Sequence, residues 1–164
     1  MRNGLTADTL RRGGCPHRII FGLNLPQIAE IAAERGKDQG MARRLWQNDS
    51  TRESQLMAPM IWPVEELDYA TAKELVAESR STEVVDVLCH RLLRHADFAL
   101  QLAVELADSE RELDRYGAMR LLWHFLTKEP AKIREIATRE IERPRSITTL
   151  PARQIIDELD FIEE

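Results

Sequence analysis

Aromatic residues are scarce in this chain. Phe, Trp and Tyr make up 5% of its 164 residues, and runs of Val, Thr and Tyr of the kind that build strands are few. Because β-sheets favour β-branched and aromatic side chains, a core supplied mainly by Leu, Ile, Ala and Met is better suited to helices. The composition therefore predicts an all-α protein.

Cysteines and long apolar runs are also lacking. Of the two cysteines, Cys15 follows a pair of glycines and Cys89 lies on an apolar helical stripe, so we expect no disulfide framework. No apolar stretch approaches the roughly 20 residues that span a bilayer, and the first residues do not read as a signal peptide. We expect a cytoplasmic protein without membrane partners.

Positive charge is in deficit. The chain has 28 Asp and Glu residues against 23 Lys and Arg residues, which gives a formal net charge of −5. Dedicated nucleic-acid binders are usually basic, so this balance counts against DNA binding. It does not exclude DNA, because the cations can gather on one face while the acids cover another.

Motifs for cofactors, metals and nucleophilic catalysis are absent from the sequence. There is no GxGxxG, Walker loop, GxSxG or CxxC pair, so we expect no cofactor. The sequence Cys15-Pro16-His17 could supply half of a metal site, but no second half with ligand spacing follows it. A turn is the simpler interpretation, and no metal is expected.

Helical signals begin after an irregular segment, residues 1–24, in which glycines and a proline break a short helix over residues 6–12. Capping boxes are predicted at residues 50–53 and 109–112, with a long helix over residues 110–127. Pro59 should bend or end its helix. A short helix after Pro151 lies in a divergent tail, residues 143–164. The predicted N-caps are Asp38, Asp68, Ser81 and Asp97.

Helix pairs recur about every 30 to 40 residues with short connections, a spacing typical of repeat proteins. We therefore expect residues 1–164 to form a single domain of antiparallel helix pairs, stacked as a HEAT-like α-solenoid. Each pair needs a neighbour to cover its apolar face. A compact helical bundle is the alternative.

Asp86 is unusual because it lies between Val84-Val85 and Val87-Leu88-Cys89. A carboxylate near a core needs compensation for the loss of its hydration. It could be an electrostatic or general-base group at the floor of a cleft. Alternatively, it could form an ion pair with His90, one turn along the helix, or with an arginine of the next repeat.

Arginines are distributed over several of the predicted helices, and stacking could line them along one surface. Guanidinium groups there would bind phosphates in bidentate fashion. Scattered, solubilising charge paired with Glu is the alternative. The candidate DNA-binding residues are Arg43, Arg44, Arg91, Arg94, Arg115 and Arg120.

Three segments resemble the AlkD-like DNA alkylation repair proteins. Residues 41–46 and 51–58 read MARRLW and TRESQLMA, similar to the family's "LW…REFQLAAL" segment. Residues 21–28, FGLNLPQI, are similar to its "GV…P.LR" segment, and residues 81–86, STEVVD, fall where it has a "WWDSVD"-like segment. The resemblance covers roughly residues 18–127.

The resemblance implies a HEAT-like α-solenoid that binds double-stranded DNA on a concave surface and excises alkylated purines by hydrolysing the N-glycosidic bond. It implies that Asp86 is the catalytic aspartate, which stabilises the cationic sugar as the base leaves. The family's phosphate-contacting arginine aligns near Arg115 or Tyr116. Candidate aromatic residues of the cleft are Trp46, Tyr116 and Trp123.

Two departures from the family pattern bear on activity. Thr82 stands where the enzymes have a tryptophan that packs on the deoxyribose. A later repeat that supplies another tryptophan is replaced by the tail from about Arg143. We therefore expect weak or lost excision, and a non-catalytic HEAT-like scaffold that binds another protein is the alternative function.

Overall fold

A computed structural model describes residues 3–163, and these residues form ten α-helices and no strand. Ile19 and Thr51 make an isolated parallel bridge. The prediction of an all-α protein is confirmed. The helices are α1 Gly4–Arg12, α2 Leu25–Arg35, α3 Gln39–Gln47, α4 Arg52–Ile61, α5 Tyr69–Glu78, α6 Thr82–Arg91, α7 Ala99–Ala107, α8 Glu112–Leu122, α9 Pro130–Glu142 and α10 Thr149–Glu163.

The chain divides into two compact units, the first ending at Leu67 and the second beginning at Asp68. In the first unit, α4 packs against α2 and α3. In the second unit, α7 pairs with α8, α9 pairs with α10, and α6 packs against α8. These helix pairs agree with the predicted α-solenoid. The HEAT-like repeat and the single domain stay predictions. None of the helices that the structure describes is long and apolar enough to cross a membrane.

The N-terminal segment is more regular than predicted. Helix α1 begins at Gly4, and the Asn3 side chain caps it by accepting a hydrogen bond from the Thr6 amide, at 3.2 Å. After α1 the chain folds back, and Gly22 packs against the start of that helix with a φ of +78°. A Cβ atom there would lie 2.0 Å from the carbonyl oxygen of Asn3. Only glycine therefore allows this approach.

Three of the four predicted N-caps are confirmed. The side chains of Asp38, Asp68 and Ser81 each accept a hydrogen bond from a backbone amide in the first turn of α3, α5 and α6. The prediction for Asp97 is wrong, because α7 starts at Ala99 and Phe98 occupies its N-cap without a side-chain bond.

Both predicted capping boxes are wrong. At residues 50–53 no side chain caps α4, and the Glu53 carboxylate accepts hydrogen bonds from the Phe21 and Gly22 amides instead, each at 3.0 Å. At residues 109–112 the Ser109 hydroxyl accepts from the Arg111 amide and donates to Asp114. A capping box does form at α2, between Asn24 and Gln27.

Pro59 lies inside α4, which continues to Ile61, so Pro59 does not end its helix, and the bend stays a prediction. The ends of two other helices differ from prediction. The long helix over residues 110–127 is shorter: α8 covers Glu112–Leu122 and continues as a 3₁₀ turn, Trp123–Phe125. Helix α10 starts before Pro151 and has 15 residues. It is the longest helix in residues 3–163.

A buried ion pair joins α8 to α9 in the second unit. Arg115 donates from Nε to a Glu140 carboxylate oxygen at 3.1 Å, and from Nη1 to the carbonyl oxygens of Ser109 and Glu110. The same Glu140 oxygen accepts from the Thr148 hydroxyl at 2.6 Å. Arg115 and Glu140 are 8% and 3% exposed, and the other Glu140 oxygen lies 3.3 Å from Nε of Arg143, so two arginines compensate the charge of the buried carboxylate.

We expect Arg115→Ala to lower the free energy of unfolding by about 2–4 kcal/mol, because the buried Glu140 carboxylate loses its hydrogen-bonded arginine and keeps only the longer contact with Arg143. Urea unfolding followed by circular dichroism measures the change. The matched control is Arg139→Ala, which removes an arginine from an exposed pair with Asp108. The control should stay within about 1 kcal/mol of the wild type. Equal losses in the two variants would contradict the buried-pair assignment.

Candidate functional site

Helices α6 and α8 come close together at Gly117. A Cβ atom at this position would lie 3.3 Å from Cγ1 of Val85, closer than most carbon contacts. The thiol of Cys89 lies 3.7 Å from the Gly117 carbonyl oxygen. Because Gly117 has no side chain, α8 can approach α6 closely enough for polar side chains of the two helices to meet.

Asp86 is the residue of α6 on which those polar contacts converge. Its Oδ1 atom accepts a hydrogen bond from the Tyr116 hydroxyl at 2.8 Å and forms an ion pair with Arg120, whose Nε atom lies 2.9 Å away. Tyr116 and Arg120 are one turn apart on α8, so both project from one face of that helix. The expected pair with His90 is not found in residues 3–163. The expected alternative, an arginine of another helix, is found.

A cavity of about 180 Å³ opens beside this carboxylate. It combines one acidic side chain with cationic, titratable and aromatic groups. Trp123 is 40% exposed there, so its ring has a free surface for stacking. The cavity is lined by Asp86, Cys89, His90, Arg120, Trp123 and His124.

Histidines and Arg94 form a polar cluster at the cavity. Arg94 donates from Nε to Nε2 of His95 at 3.3 Å, and its Nη1 lies 3.5 Å from Nδ1 of His124. The His90 and His124 rings have centroids 5.8 Å apart. We call Arg94, His90 and His124 the basic cluster. The 3₁₀ turns Leu93–His95 and Trp123–Phe125 carry two of its three members.

Burial and like charge keep this cluster from gaining further protons. Burial, then the neighbouring Arg94, lowers the pKa of His124 from its ordinary 6.5 to about 4. The same two causes lower the pKa of His90. Burial and the hydrogen bond to Asp86 raise the pKa of Tyr116 above its ordinary value, so its hydroxyl remains a donor at neutral pH.

The other predicted arginines lie in different settings. Arg91 is exposed on α6, near the basic cluster in sequence. Arg115 is buried against Glu140, so its guanidinium is not accessible to a phosphate. In the first unit Arg44 is exposed, and Arg43 lies over the Trp62 ring at 5.1 Å from its centroid.

The predicted aromatic residues differ in exposure. Trp46 is 4% exposed in the core of the first unit, so its ring offers no surface for stacking. Tyr116 is half-buried and is a partner of Asp86. Trp123 lines the cavity. His124 was not predicted from the sequence. The available signal was its position next to Trp123, near the end of the helix predicted over residues 110–127.

A sequence model described as "DNA alkylation repair enzyme" matches residues 1–162. The chain belongs to this family. The resemblance seen in the sequence is thereby confirmed. No curated protein and no solved structure shows significant similarity to the chain. Residues 3–163 contain no group of three or more His, Cys, Asp or Glu side chains placed to hold a metal ion.

His124 provides a test of the electrostatics at the cavity. We expect its imidazole to titrate with a pKa of about 4 in an NMR titration. Arg94→Gln should raise this pKa, because it removes the nearest positive charge. Arg91→Gln is the matched control: Arg91 contributes to lowering the pKa of His90, and it should leave that of His124 unchanged.

The same shift makes stability depend on pH. Because the pKa of His124 in the folded protein is below 6.5, the unfolded chain binds the proton first. The free energy of unfolding should therefore fall as the pH falls from about 6.5 to about 4. Urea unfolding across this range should show a weaker dependence in His124→Gln. An identical dependence in both proteins would contradict the burial of a neutral His124.

Proposed function

We propose that this family member binds alkylated double-stranded DNA at the cavity of its second unit and excises alkylated purines by hydrolysis of the N-glycosidic bond. The observation that carries the proposal is the composition of the cavity. Asp86 is the one carboxylate among its lining residues, and the other groups are cationic, titratable or aromatic. Cations bind phosphate, an aromatic ring stacks on sugar or base, and a carboxylate stabilises a positive sugar.

The chemistry requires little proton transfer at the leaving group. An N-alkylated purine carries a positive charge, so the bond between C1′ and the base nitrogen breaks with both electrons going to the base. The base leaves neutral, and the sugar becomes an oxocarbenium ion. Water then adds to C1′ and loses a proton to solvent. A fixed negative charge close to C1′ lowers the energy of that cation.

Asp86 is held in a way that suits this role. Its Oδ1 atom accepts the Tyr116 hydrogen bond and is paired with Arg120, and no residue in the described range 3–163 donates a hydrogen bond to its Oδ2 atom. The Asp86 and Arg120 side chains are 38% and 41% exposed, so the pair is open to a ligand. Tyr116 and Arg120 orient the carboxylate, and such orientation reduces the reorganisation needed during the reaction.

DNA contacts are assigned to exposed or half-exposed cations of this unit. Arg120 lines the cavity, Arg94 contacts His124 at its wall, and Arg91 is exposed on α6; we propose that all three bind backbone phosphates. We leave Arg115 out of the interface because its guanidinium is bound to Glu140. In the first unit, the exposed Arg43 and Arg44 remain proposed DNA contacts.

A non-catalytic scaffold is the second candidate, and one observation favours it. Arg120 offsets part of the Asp86 charge, as it would in a purely structural ion pair. Thr82, the first residue of α6, also offers no aromatic ring to a deoxyribose. For these reasons we expect excision to be weak. The two candidates differ in what the loss of the Asp86 charge should do.

Asp86→Asn separates the two functions. As an enzyme, the wild type should release a methylated purine from alkylated duplex, and the variant should be slower by about 10² to 10³, because it loses a preorganised electrostatic contact. Its affinity for undamaged DNA should change little, since every cation remains. The matched control is Asp97→Asn, which removes an exposed carboxylate of the same unit and should keep wild-type release.

No release by the wild type above a buffer blank, together with a lowered melting temperature of Asp86→Asn, would assign Asp86 a structural role. In that case Arg120 and Tyr116 would have lost their partner in the fold. Release measured by chromatography and thermal melts of all three proteins complete the comparison.

DNA binding should be mainly electrostatic. Affinity for undamaged duplex should fall steeply with salt, and Arg91→Ala with Arg94→Ala should flatten the salt dependence by about one unit per lost phosphate contact. Fluorescence anisotropy at several salt concentrations measures both. Arg153→Ala is the control, because it removes an exposed arginine from α10, away from the cavity lining. An affinity that does not change with salt concentration would show that DNA is not the ligand.

A further inference from the structure

Arg94 has an unusual set of partners. The chain has an excess of acidic residues, yet no carboxylate in residues 3–163 lies within ion-pair distance of the Arg94 guanidinium. Its hydrogen bonds go to two imidazole rings, those of His95 and His124. Arg94 is half-buried, so its charge is partly desolvated without a compensating anion.

The contact with Arg94 constrains the protonation of His124. A guanidinium has five donors and no acceptor, so a ring nitrogen that it contacts must carry a lone pair. Nδ1 of His124 therefore carries no proton in this arrangement, and the ring is neutral. Binding of a proton at Nδ1 of His124 requires Arg94 to turn away.

The groups around His124 leave an excess of positive charge. Its cationic or protonatable neighbours come from α6, α8 and the 3₁₀ turn after α6, and they are Arg94, Arg120, His90 and His95. Among the described residues that line the cavity Asp86 is the one carboxylate, and it is already paired with Arg120. The thiol of Cys89 is buried. Arg94 therefore remains as the permanent charge that attracts an anion, and His124 can add a second positive charge by protonation.

We propose that the basic cluster of Arg94, His90 and His124 is a subsite for one backbone phosphate of the DNA, and that phosphate binding is coupled to protonation of His124. The proposal rests on the proposed function, because it names how the same cavity holds its DNA. Phosphate oxygens accept hydrogen bonds from Arg94, which leaves Nδ1 of His124. That nitrogen takes a proton from solvent and donates it to a second phosphate oxygen.

The direction of the coupling follows from linkage. A bound phosphate favours the imidazolium form, and protonation of His124 must favour phosphate binding by the same factor. DNA affinity should therefore rise as the pH falls from 6.5 to 4.5, because the pKa of His124 in the free protein is about 4 and a typical coupling of roughly 5- to 150-fold raises it by about one to two units. The increase should reach up to about tenfold per pH unit, the limit for uptake of one proton. The duplex phosphates themselves do not titrate in this range.

Fluorescence anisotropy with an undamaged duplex at constant, low ionic strength tests the coupling. The wild type should bind more tightly as the pH falls, and His124→Gln should lose most of this dependence while it still binds at pH 6.5. Arg153→Gln, which removes a cation from exposed α10 surface, should keep the full pH dependence. A pH dependence that is equal in the wild type and in His124→Gln would overturn the proposal.

Nitrogen NMR of the histidine rings tests the protonation directly. At pH 5 the free protein should show a mainly neutral His124, and saturation with duplex should convert it toward the imidazolium form. A parallel titration with inorganic phosphate distinguishes the source of the anion. If inorganic phosphate converts His124 to the imidazolium form but duplex does not, a DNA phosphate is not the ligand. A His124 ring that stays neutral with either anion would also overturn the proposal.

The failure of this inference is distinct from the failure of the proposed function. If the wild type binds duplex but His124 stays neutral, the subsite is wrong and DNA binding stands. If the wild type does not bind duplex at any pH in the range, the proposed function is wrong and the DNA subsite falls with it. Two results together support the subsite and the proposed function. The wild type should bind duplex with protonation of His124, and Arg94→Gln should bind duplex at least tenfold more weakly.

Discussion

The close approach of α6 and α8 at Gly117 is the constraint on which the site depends. A methyl group at this position would require the Val85 side chain to give way by a few tenths of an ångström. The same approach of the two helices brings the Tyr116 hydroxyl and the Arg120 guanidinium to Asp86. Because contacts with a charged carboxylate are short, the missing side chain at Gly117 favours the geometry in which both groups reach it.

Helix α8 joins the stability of the second unit to the geometry of its cavity. Arg115 and Tyr116 are consecutive residues, so they point about 100° apart around the helix. Arg115 holds one side of α8 to Glu140 on α9, and Tyr116 presents the other side to Asp86 on α6. A helix fixed on both sides keeps Tyr116 and Arg120 in place without help from the ligand. The contacts that orient Asp86 therefore exist without a ligand, which is what electrostatic preorganisation would require in the proposed reaction.

The sequence predicted features that depend on local periodicity and missed those that depend on tertiary contacts. The apolar spacing of α6 and the caps of α3, α5 and α6 were predicted correctly, because these signals involve residues within one or two turns. The capping box expected at Glu53 failed because this carboxylate binds backbone amides 31 and 32 residues earlier in the chain. For the same reason, spacing alone could not distinguish the buried Arg115 from Arg120, five residues further along the same helix. Both fit a helical pattern, and only the packing of α9 and α6 against α8 separates their roles.

Family membership indicates DNA alkylation repair, and the charge around Asp86 bears on the excision that we propose. Without a ligand, Arg120 offsets the carboxylate, and Arg94 adds positive charge close by. That field would oppose a cationic sugar. In the proposed complex one backbone phosphate brings one negative charge, and the proton that His124 takes up brings one positive charge, so the net charge of the basic cluster stays the same when DNA binds. The positive groups would thus recruit the DNA and would still oppose the cationic sugar afterwards, which is a physical reason to expect weak excision.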